Sequence, residues 1–467
     1  MIEDGTIAAI VTPRGTGGVC VLRLSGKDSF SIGNLLFTGR KRLDEQRNWS
    51  AQFGMYIHPD SHTHIDECIV LVMRGPKSYT GEDTVEFSLH GGARIAEAAL
   101  NGAVEAGARL AAPGEFSKRA LMNGRMDLTQ AEAVAELIAA GCDRESLIAL
   151  QKLEGGLGNK LNTVKNGLLG ILVEIEAGFD FSEEEVQFHN SEHSISVLQE
   201  SKIICSELID SYNEGCIIRD GIAVGLFGCV NVGKSSILNA ILQEDRAIVT
   251  KHPGTTRDTV DGEIERQGIR FRFIDTAGIR YDVDEVESIG IDKSHQLIKD
   301  VDIAVHVLDA GEGFGKSDAL IADRLEKERD SKSHTIICIN KTDLVDKDCL
   351  DDIVGAVSEY GWTVYQSSVK LSRGIQGLVS GIAKSVLIDS KLDRTHEVVI
   401  TSLRQKDILV GTVEKVDQLI QRISDKYDDE FLAADVRGLL HDVDMILGKG
   451  ESDEVLNMIF NNFCIGK

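Results

Sequence analysis

The spacing of apolar positions changes three times along the chain. From Ile7 to about Leu89 they form short runs, IAAIVTP, VCVLRLSG, CIVLVMRGP and TVEFSLHGG, broken by glycine and proline. Short apolar runs bounded by turn formers predict strands, so this stretch is expected to be an α+β domain with a helix or two. Near Pro113 the pattern becomes helical and stays so to about Glu214. Within it Leu161, Val164, Leu168, Ile171, Leu172 and Ile175 recur at spacings of three and four, which puts them on one helix face. Between Gly221 and about Gly374 four runs, IAVGLF, IRFRFI, DIAVHVLDA and HTIICIN, alternate with helical stretches; a fifth, TVYQSS, is weaker. This alternation predicts a doubly wound α/β domain. From about Leu378 helix returns, with Leu409, Val413, Val416, Ile420 and Ile423 as a packing seam.

Each helical half alone would leave an apolar face uncovered. The simplest organisation is therefore one helical domain interrupted by the α/β domain. The expected boundaries are 1–118 for the N-terminal α+β domain, 119–216 and 379–467 for the two helical parts, and 217–378 for the insert.

Composition narrows the function. At 467 residues, with 42% hydrophobic and 27% charged positions, the chain has material for several cores, which excludes a disordered or fibrous protein. Lys plus Arg number 50 against 75 Asp plus Glu, a net charge of -25, so the surface as a whole cannot attract nucleic acid or an anionic membrane. Any nucleic-acid contact is local or borrowed from a partner. The nine cysteines include no CxxC pair, which favours buried thiols in a reducing compartment, with Cys464 kept apart. Glu3 and Asp4 stand at the start, and no apolar run reaches the roughly 18 residues of a membrane span, so a cytoplasmic location is expected.

The chemistry lies in the α/β insert. Gly228-Cys-Val-Asn-Val-Gly-Lys-Ser235 matches GxxxxGKS between an apolar run and a helix, the arrangement of a phosphate loop. Asn231, Val232, Gly233, Lys234, Ser235 and Ser236 are expected to surround phosphates, with Lys234 neutralising β and γ oxygens and Ser235 ligating Mg²⁺. Asp275-Thr276-Ala277-Gly278 ends the second run and puts a carboxylate by the Mg²⁺ shell and a glycine N–H near the γ-phosphate. Asn340-Lys341-Thr-Asp343 ends the fourth. The Asp343 carboxylate can accept from both N1–H and the 2-amino group of guanine, a donor pair that adenine lacks. Ser368-Val369-Lys370 stands where a backbone N–H would meet the guanine O6. Gly254-Thr255-Thr256-Arg-Asp258 reads as a switch segment, with Thr256 a second Mg²⁺ ligand. Together these predict GTP binding. Ile279 occupies the place where Ras-like enzymes orient the attacking water with Gln. Glu287 is the candidate to hold that water, and an exposed acid on a charged helix is the alternative reading.

GCVNVGKSSILN, TKHPGTTRDTV, DTAGIR with DEVESIG, NKTD and the terminal FCIGK together resemble the MnmE (TrmE) family of tRNA modification GTPases. TIAAIVTPRGTGGVCVLRLSG, RGPKSYTGEDTVEFSLHGG and APGEFSKRALMNGRMDLTQAEAVAELI extend the resemblance over nearly the whole chain. It implies an N-terminal domain that binds folate and dimerises, a helical domain, and an inserted Ras-like G domain. In that family hydrolysis is K⁺-dependent, the ion taking the place of an arginine finger. The matching positions are Asn231, which is catalytic on this reading together with Lys234 and Glu287, and Thr250, His252 and Thr255. The rest of that segment, Lys251, Pro253 and Gly254, would line the nucleotide. Asn231 could instead merely turn the loop.

The family's N-terminal domain binds a reduced folate, 5-formyl- or 5,10-methylene-tetrahydrofolate, as one-carbon donor; the corresponding positions are Arg23, Glu86, Arg125 and Lys467. The resemblance also implies a homodimer, a flavoprotein partner (MnmG, also called GidA) in a heterotetramer or larger complex, no membrane, and 5-carboxymethylaminomethyl modification of the wobble uridine of certain tRNAs. A regulatory Era-like switch in ribosome assembly, without carbon transfer, is the competing reading. The chain departs from the family's common pattern at Cys229-Val230, at Arg125 and at Ser182.

Overall fold

The computed structural model describes residues 5–13, 15–180, 191–244, 262–275, 298–328, 334–387, 398–450, 452–461 and 463–466. They form a multidomain α/β and α+β protein that divides into two compact units. The first is Met1–Ile138, Leu150–Glu207 and Arg404–Lys467; the second is Ala139–Ala149 and Leu208–Leu403.

The first unit holds a seven-stranded sheet: β1 (Ile7–Ile10), β2 (Val19–Ser25), β3 (Phe37–Gly39), β4 (Ser50–Ile57), β5 (His64–Met73), β6 (Thr84–His90) and β7 (Arg109–Leu110). The order is β3-β4-β5-β6-β2-β1-β7. Neighbours run antiparallel except β1 with β7. Alternation sends Cys20, Leu22 and Leu24 of β2 and Val85, Phe87 and Leu89 of β6 to one face, where Phe30 of the helix Ser29–Leu35 and Ala99 of the helix Ala93–Glu105 cover them. Tyr56 meets Phe87 edge-on at 5.1 Å and donates its hydroxyl to Ala99 O at 2.7 Å, so this buried phenol is satisfied. The other face is covered at the β1 end, where Ile7 and Ala9 pack on Phe116 of the helix Glu115–Met122. At the β4–β5 end the register partners Phe53 and Ile69 are 63% and 51% exposed.

In the helical part, Gly156–Asp180 packs on Asp429–Leu447. Leu161, Val164, Leu168, Ile171 and Ile175 are buried as their spacing predicts, with Leu172 half-buried at the flank. The seam on Leu403–Ser424 differs from the expected one. Leu409, Thr412, Val416, Leu419 and Ile423 are buried, while Val413 and Ile420 are half-buried. With 3.6 residues per turn, two choices of stripe share Leu409, Val416 and Ile423, and packing selects the one that passes through Thr412. The Thr412 hydroxyl is satisfied by Ile408 O at 2.8 Å. The C-terminal helix Asp453–Phe460 inserts Leu456 and Phe460 against Leu128 and Ala131, and Ile465 bridges to Pro113. Cys464 accepts the Gly114 N–H with its carbonyl at 3.4 Å while its side chain is exposed; it is not a packed thiol.

The second unit is built on a six-stranded sheet: β8 (Ile222–Phe227), β9 (Gly262–Arg266), β10 (Ile269–Asp275), β11 (Ile303–Asp309), β12 (His334–Asn340) and β13 (Thr363–Gln366), in the order β13-β12-β11-β8-β10-β9. The five predicted runs are its parallel strands. β9 pairs antiparallel with β10 and was not legible as a strand, since GEIER offers one apolar side chain among polar ones and lies at the sheet edge. β8 is buried along its whole length, which explains its unbroken apolar run. Helices cover both faces. Ile237 and Ile241 of Lys234–Glu244 and Leu378 and Ile382 of Ile375–Leu387 lie on one; Ile321 and Leu325 of Lys316–Glu328 lie on the other.

This unit is wider than 217–378. Val399 and Ile148 complete its core, Glu145 pairs with Arg270 Nε at 3.2 Å, and the Cys142 thiol donates to Gly268 O at 3.0 Å. A short apolar or charged segment far away in sequence can complete a core without any local signal that it does so.

Candidate functional site

In an open parallel sheet, ligands meet the loops that follow the carboxyl ends of the strands. In the second unit the loop after β8 is Gly228–Ser235, which runs into the helix Lys234–Glu244. Two glycines set its course. Gly228 has φ +147°, and a Cβ there would stand 2.3 Å from Val307 O; Gly233 has φ +101°, and a Cβ would stand 2.4 Å from Asn340 Nδ2. Asn231 also takes a positive φ, 67°. The loop thus turns the backbone N–H groups of the helix start outward, where a partial positive charge of about 0.5 adds to them. Lys234 Nζ donates to Gly228 O and Cys229 O, both at 2.8 Å. The ammonium is therefore held at the loop by two backbone carbonyls. Ser235 and Ser236 are exposed in the first helical turn.

The end of β12 supports this loop. Asn340, buried, donates Nδ2 to Val232 O at 3.0 Å and accepts Ser367 Oγ at 3.3 Å. Lys341 sits at φ 59° and extends Nζ to Asn231 O at 2.8 Å and Asp309 Oδ2 at 2.6 Å. Expected only to line the nucleotide, Lys341 here bridges the phosphate loop, β11 and β12. Asp309 escaped the sequence reading; its one signal is that it ends an apolar run at the carboxyl edge of the sheet. Asp343 accepts Ser368 Oγ at 2.6 Å and has Lys370 Nζ at 3.9 Å. The Ser368 hydroxyl above all holds the Asp343 carboxyl below its ordinary range. Asp343 is therefore an ionised, acceptor-only group at neutral pH.

The Ser368 N–H is taken by Arg373 O at 2.9 Å, so it is not the donor for a base carbonyl; the Val369 N–H meets no acceptor among the described residues. Asp275 closes β10. Thr250, Lys251, His252, Pro253, Gly254, Thr255, Thr256, Thr276, Ala277, Gly278 and Glu287 lie outside the described residues, as does Lys467.

The N-terminal candidates belong to the first unit. Arg23 and Glu86 are register partners on β2 and β6, joined by Arg23 Nε to Glu86 Oε1 at 2.6 Å. The guanidinium lies over the rings of Tyr79 and Phe116, 5.3 and 5.4 Å from their centroids. Arg125 Nε donates to Ser78 O at 3.1 Å, beside Tyr79, whose hydroxyl pairs with Ser117 Oγ at 2.8 Å. Burial raises the Tyr79 phenol against the opposing effects of Ser117 and Arg23. Arg23 and Arg125 thus meet one loop, at Tyr79 and Ser78, with Glu86 on Arg23. Gly466 abuts Ile10 O and Val11, at the end of β1. An arginine fixed between a carboxylate and two aromatic faces suits a flat, polar, partly anionic ligand. Tyr79 and Phe116 were not among the predicted positions.

Comparison with known proteins adds a family. A family model described as the MnmE helical domain matches residues 128–464, and one described as the GTP-binding protein TrmE N-terminus matches 6–125. Curated relatives that carry the description tRNA modification GTPase MnmE match the chain along its length. That of Flavobacterium johnsoniae is 36% identical over the full length of both chains. That of Acetivibrio thermocellus is 34% identical, again with both chains covered in full. That of Chlorobium phaeovibrioides is 37% identical, with 99% of this chain and 97% of the relative covered.

Proposed function

The chain belongs to the MnmE (TrmE) family of tRNA modification GTPases, and from that membership we propose that it is a K⁺-dependent GTP hydrolase that modifies the wobble uridine of certain tRNAs with a flavoprotein partner. The observation that carries this reading is the clasp at the phosphate loop: Lys341 holds Asn231 O, Asn340 holds Val232 O, and Lys234 spans Gly228 O and Cys229 O. Three side chains fix the loop carbonyls, so the N–H groups of the loop are set for a triphosphate before it arrives. Asp343 and the Val369 N–H select guanine.

When bound, Mg²⁺ and K⁺ supply positive charge against the negative charge that builds in the transition state. Ser235, Thr256 and Asp275 are the proposed residues on the Mg²⁺ side. Asn231, Thr250, His252 and Thr255 are those on the K⁺ side, with Glu287 holding the attacking water. Asn231 fits this role: its left-handed backbone and its carbonyl, tied to Lys341, leave an exposed carboxamide at the mouth of the loop.

The N-terminal domain (1–118) is the proposed site of the reduced folate, through Arg23, Glu86, Arg125 and Lys467. The charged, aromatic-flanked surroundings of Arg23 fit a pterin edge and a glutamyl tail. The open β4–β5 face, with Phe53 opposite Ile69, fits a second copy of the chain and so a homodimer. The helical domain (119–216 and 379–467) carries the G domain (217–378). No helix among the described residues is long and apolar enough to cross a membrane, and a cytoplasmic location is the proposed one. The net charge of -25 favours a flavoprotein partner that supplies much of the tRNA grip. A match over 6–125 favours carbon transfer over an Era-like switch.

The deciding test measures GTP hydrolysis in K⁺ and in Na⁺ at equal ionic strength, with nucleoside analysis of wobble uridines in cells lacking the protein. Faster turnover in K⁺ and loss of the 5-substituent are expected. Equal rates in the two salts would remove the cation role, and intact uridines the tRNA role.

A further inference from the structure

The second residue of the phosphate loop makes a contact that nucleotide binding does not require. Cys229 Sγ donates to Asp318 Oδ1 at 3.2 Å, and Asp318 is 8% exposed in the first turn of Lys316–Glu328. Its other oxygen accepts the Gly315 N–H at 3.1 Å, so the carboxylate is fixed by its own turn. Behind it, His306 of β11 is wholly buried, with Nε2 3.8 Å from Asp318 Oδ1. Neither ring nitrogen of His306 has a hydrogen-bond partner among the described residues. Cys229 also packs against both apolar clusters of the sheet. One contains Val224 and Leu226 of β8, the other Ala223 and Phe227, so the thiol sits at the seam between the two faces. The same residue's carbonyl accepts Lys234 Nζ at 2.8 Å.

We propose that Cys229 is a positioning residue for GTP hydrolysis: its thiol, tied to Asp318 and backed by His306, holds the carbonyl that aims Lys234 at the phosphates. Burial first, and Asp318 second, push the thiol up to about 12, so it remains a donor at neutral pH and is not a nucleophile. Burial, with a lesser contribution from Lys234, brings His306 down to about 4 and keeps it neutral. The cluster is thus one anionic acceptor enclosed by an uncharged donor and an uncharged ring. Lys234 faces charge that grows on the transferring phosphoryl group, so a small displacement loses more in the transition state than in the ground state. The rate constant, more than KM, should register the tether.

The test uses the full chain with Mg²⁺ and K⁺ present and compares Cys229→Ala, Cys229→Ser, Asp318→Ala and the Cys229→Ala/Asp318→Ala double variant. Each Ala variant should lower kcat about fivefold, the size of one ordinary net hydrogen bond because the tether acts on Lys234 only through the loop, with KM for GTP within about twofold. The double variant should be no slower than either single one, because both remove the same tether. Cys229→Ser should recover most of the rate, since its hydroxyl donates from nearly the same place. Unchanged kcat, additive losses or a Ser variant as slow as Ala would each overturn the proposal. Unfolding midpoints are read alongside. A rate loss that follows the midpoint across all the variants marks a merely structural contact and also overturns it.

Discussion

Replacing Asp343 with Asn tests the purine reading with little change of shape. In the structure Asp343 Oδ1 accepts Ser368 Oγ at 2.6 Å, and the side chain is 11% exposed. An Asn in the same rotamer keeps this bond, because its Oδ1 still accepts, and so it should leave the fold intact. The change falls on the other edge. An ionised carboxylate, kept so chiefly by the Ser368 hydroxyl, offers acceptors to guanine N1–H and to the 2-amino group. A carboxamide presents N–H to N–H instead. Two hydrogen bonds to a charged group, at about 1.5–3 kcal/mol each, amount to roughly 3–6 kcal/mol. At about 1.4 kcal/mol per tenfold, the Kd for GTP should rise by about 10²–10⁴. Xanthine, which carries a carbonyl where guanine has the amine, accepts from the new amide, so XTP should bind the variant better than GTP does. Equilibrium titration of both proteins with GTP, XTP and ATP measures this, with the unfolding midpoint as control. A Kd for GTP raised less than about fivefold, or a variant that still prefers GTP to XTP, would refute the assignment.

Gly233→Ala should raise the Kd for GTP by at least about tenfold with a smaller loss of stability, since a Cβ at φ +101° and 2.4 Å from Asn340 Nδ2 forces the loop off its clasp; titration and thermal melts together check this. His306 stays neutral in the fold down to about pH 4 but is protonated near 6.5 when unfolded, so its contribution, full above pH 6.5, is lost as pH falls toward 4, by roughly 3 kcal/mol. Denaturant melts across that window should show a shallower decline for His306→Leu than for the parent, and parallel curves would contradict it. In the first unit, buried Arg119 donates to both oxygens of Glu82, to Glu115 at 3.3 Å and to Gly5 O at 3.0 Å. Arg119→Met removes the cation from Glu82, leaves Glu115 with Arg109 alone, and should cost about 3–5 kcal/mol in chemical denaturation; a loss under about 1 kcal/mol would place the pair among ordinary surface contacts.

Local rules make much of this protein legible in its sequence. The phosphate loop could be read because its two left-handed glycines and its lysine lie within eight consecutive residues. β8 and β11 could be read because a strand buried on both faces is largely apolar, and the face of Gly156–Asp180 because a helix repeats within a few residues. Tertiary structure alone decided what depends on reach across the chain. Lys341 contacts a carbonyl 110 positions away, Cys229 a carboxylate 89 positions away, and Ala139–Ala149 joins a core made mostly of residues beyond 208. The stripe on Leu403–Ser424 was also settled there, because two helical registers satisfy the same apolar spacing and only the opposing surface distinguishes them. Backbone conformation is a property of neighbours in sequence, whereas the partner of a long side chain is a property of neighbours in space.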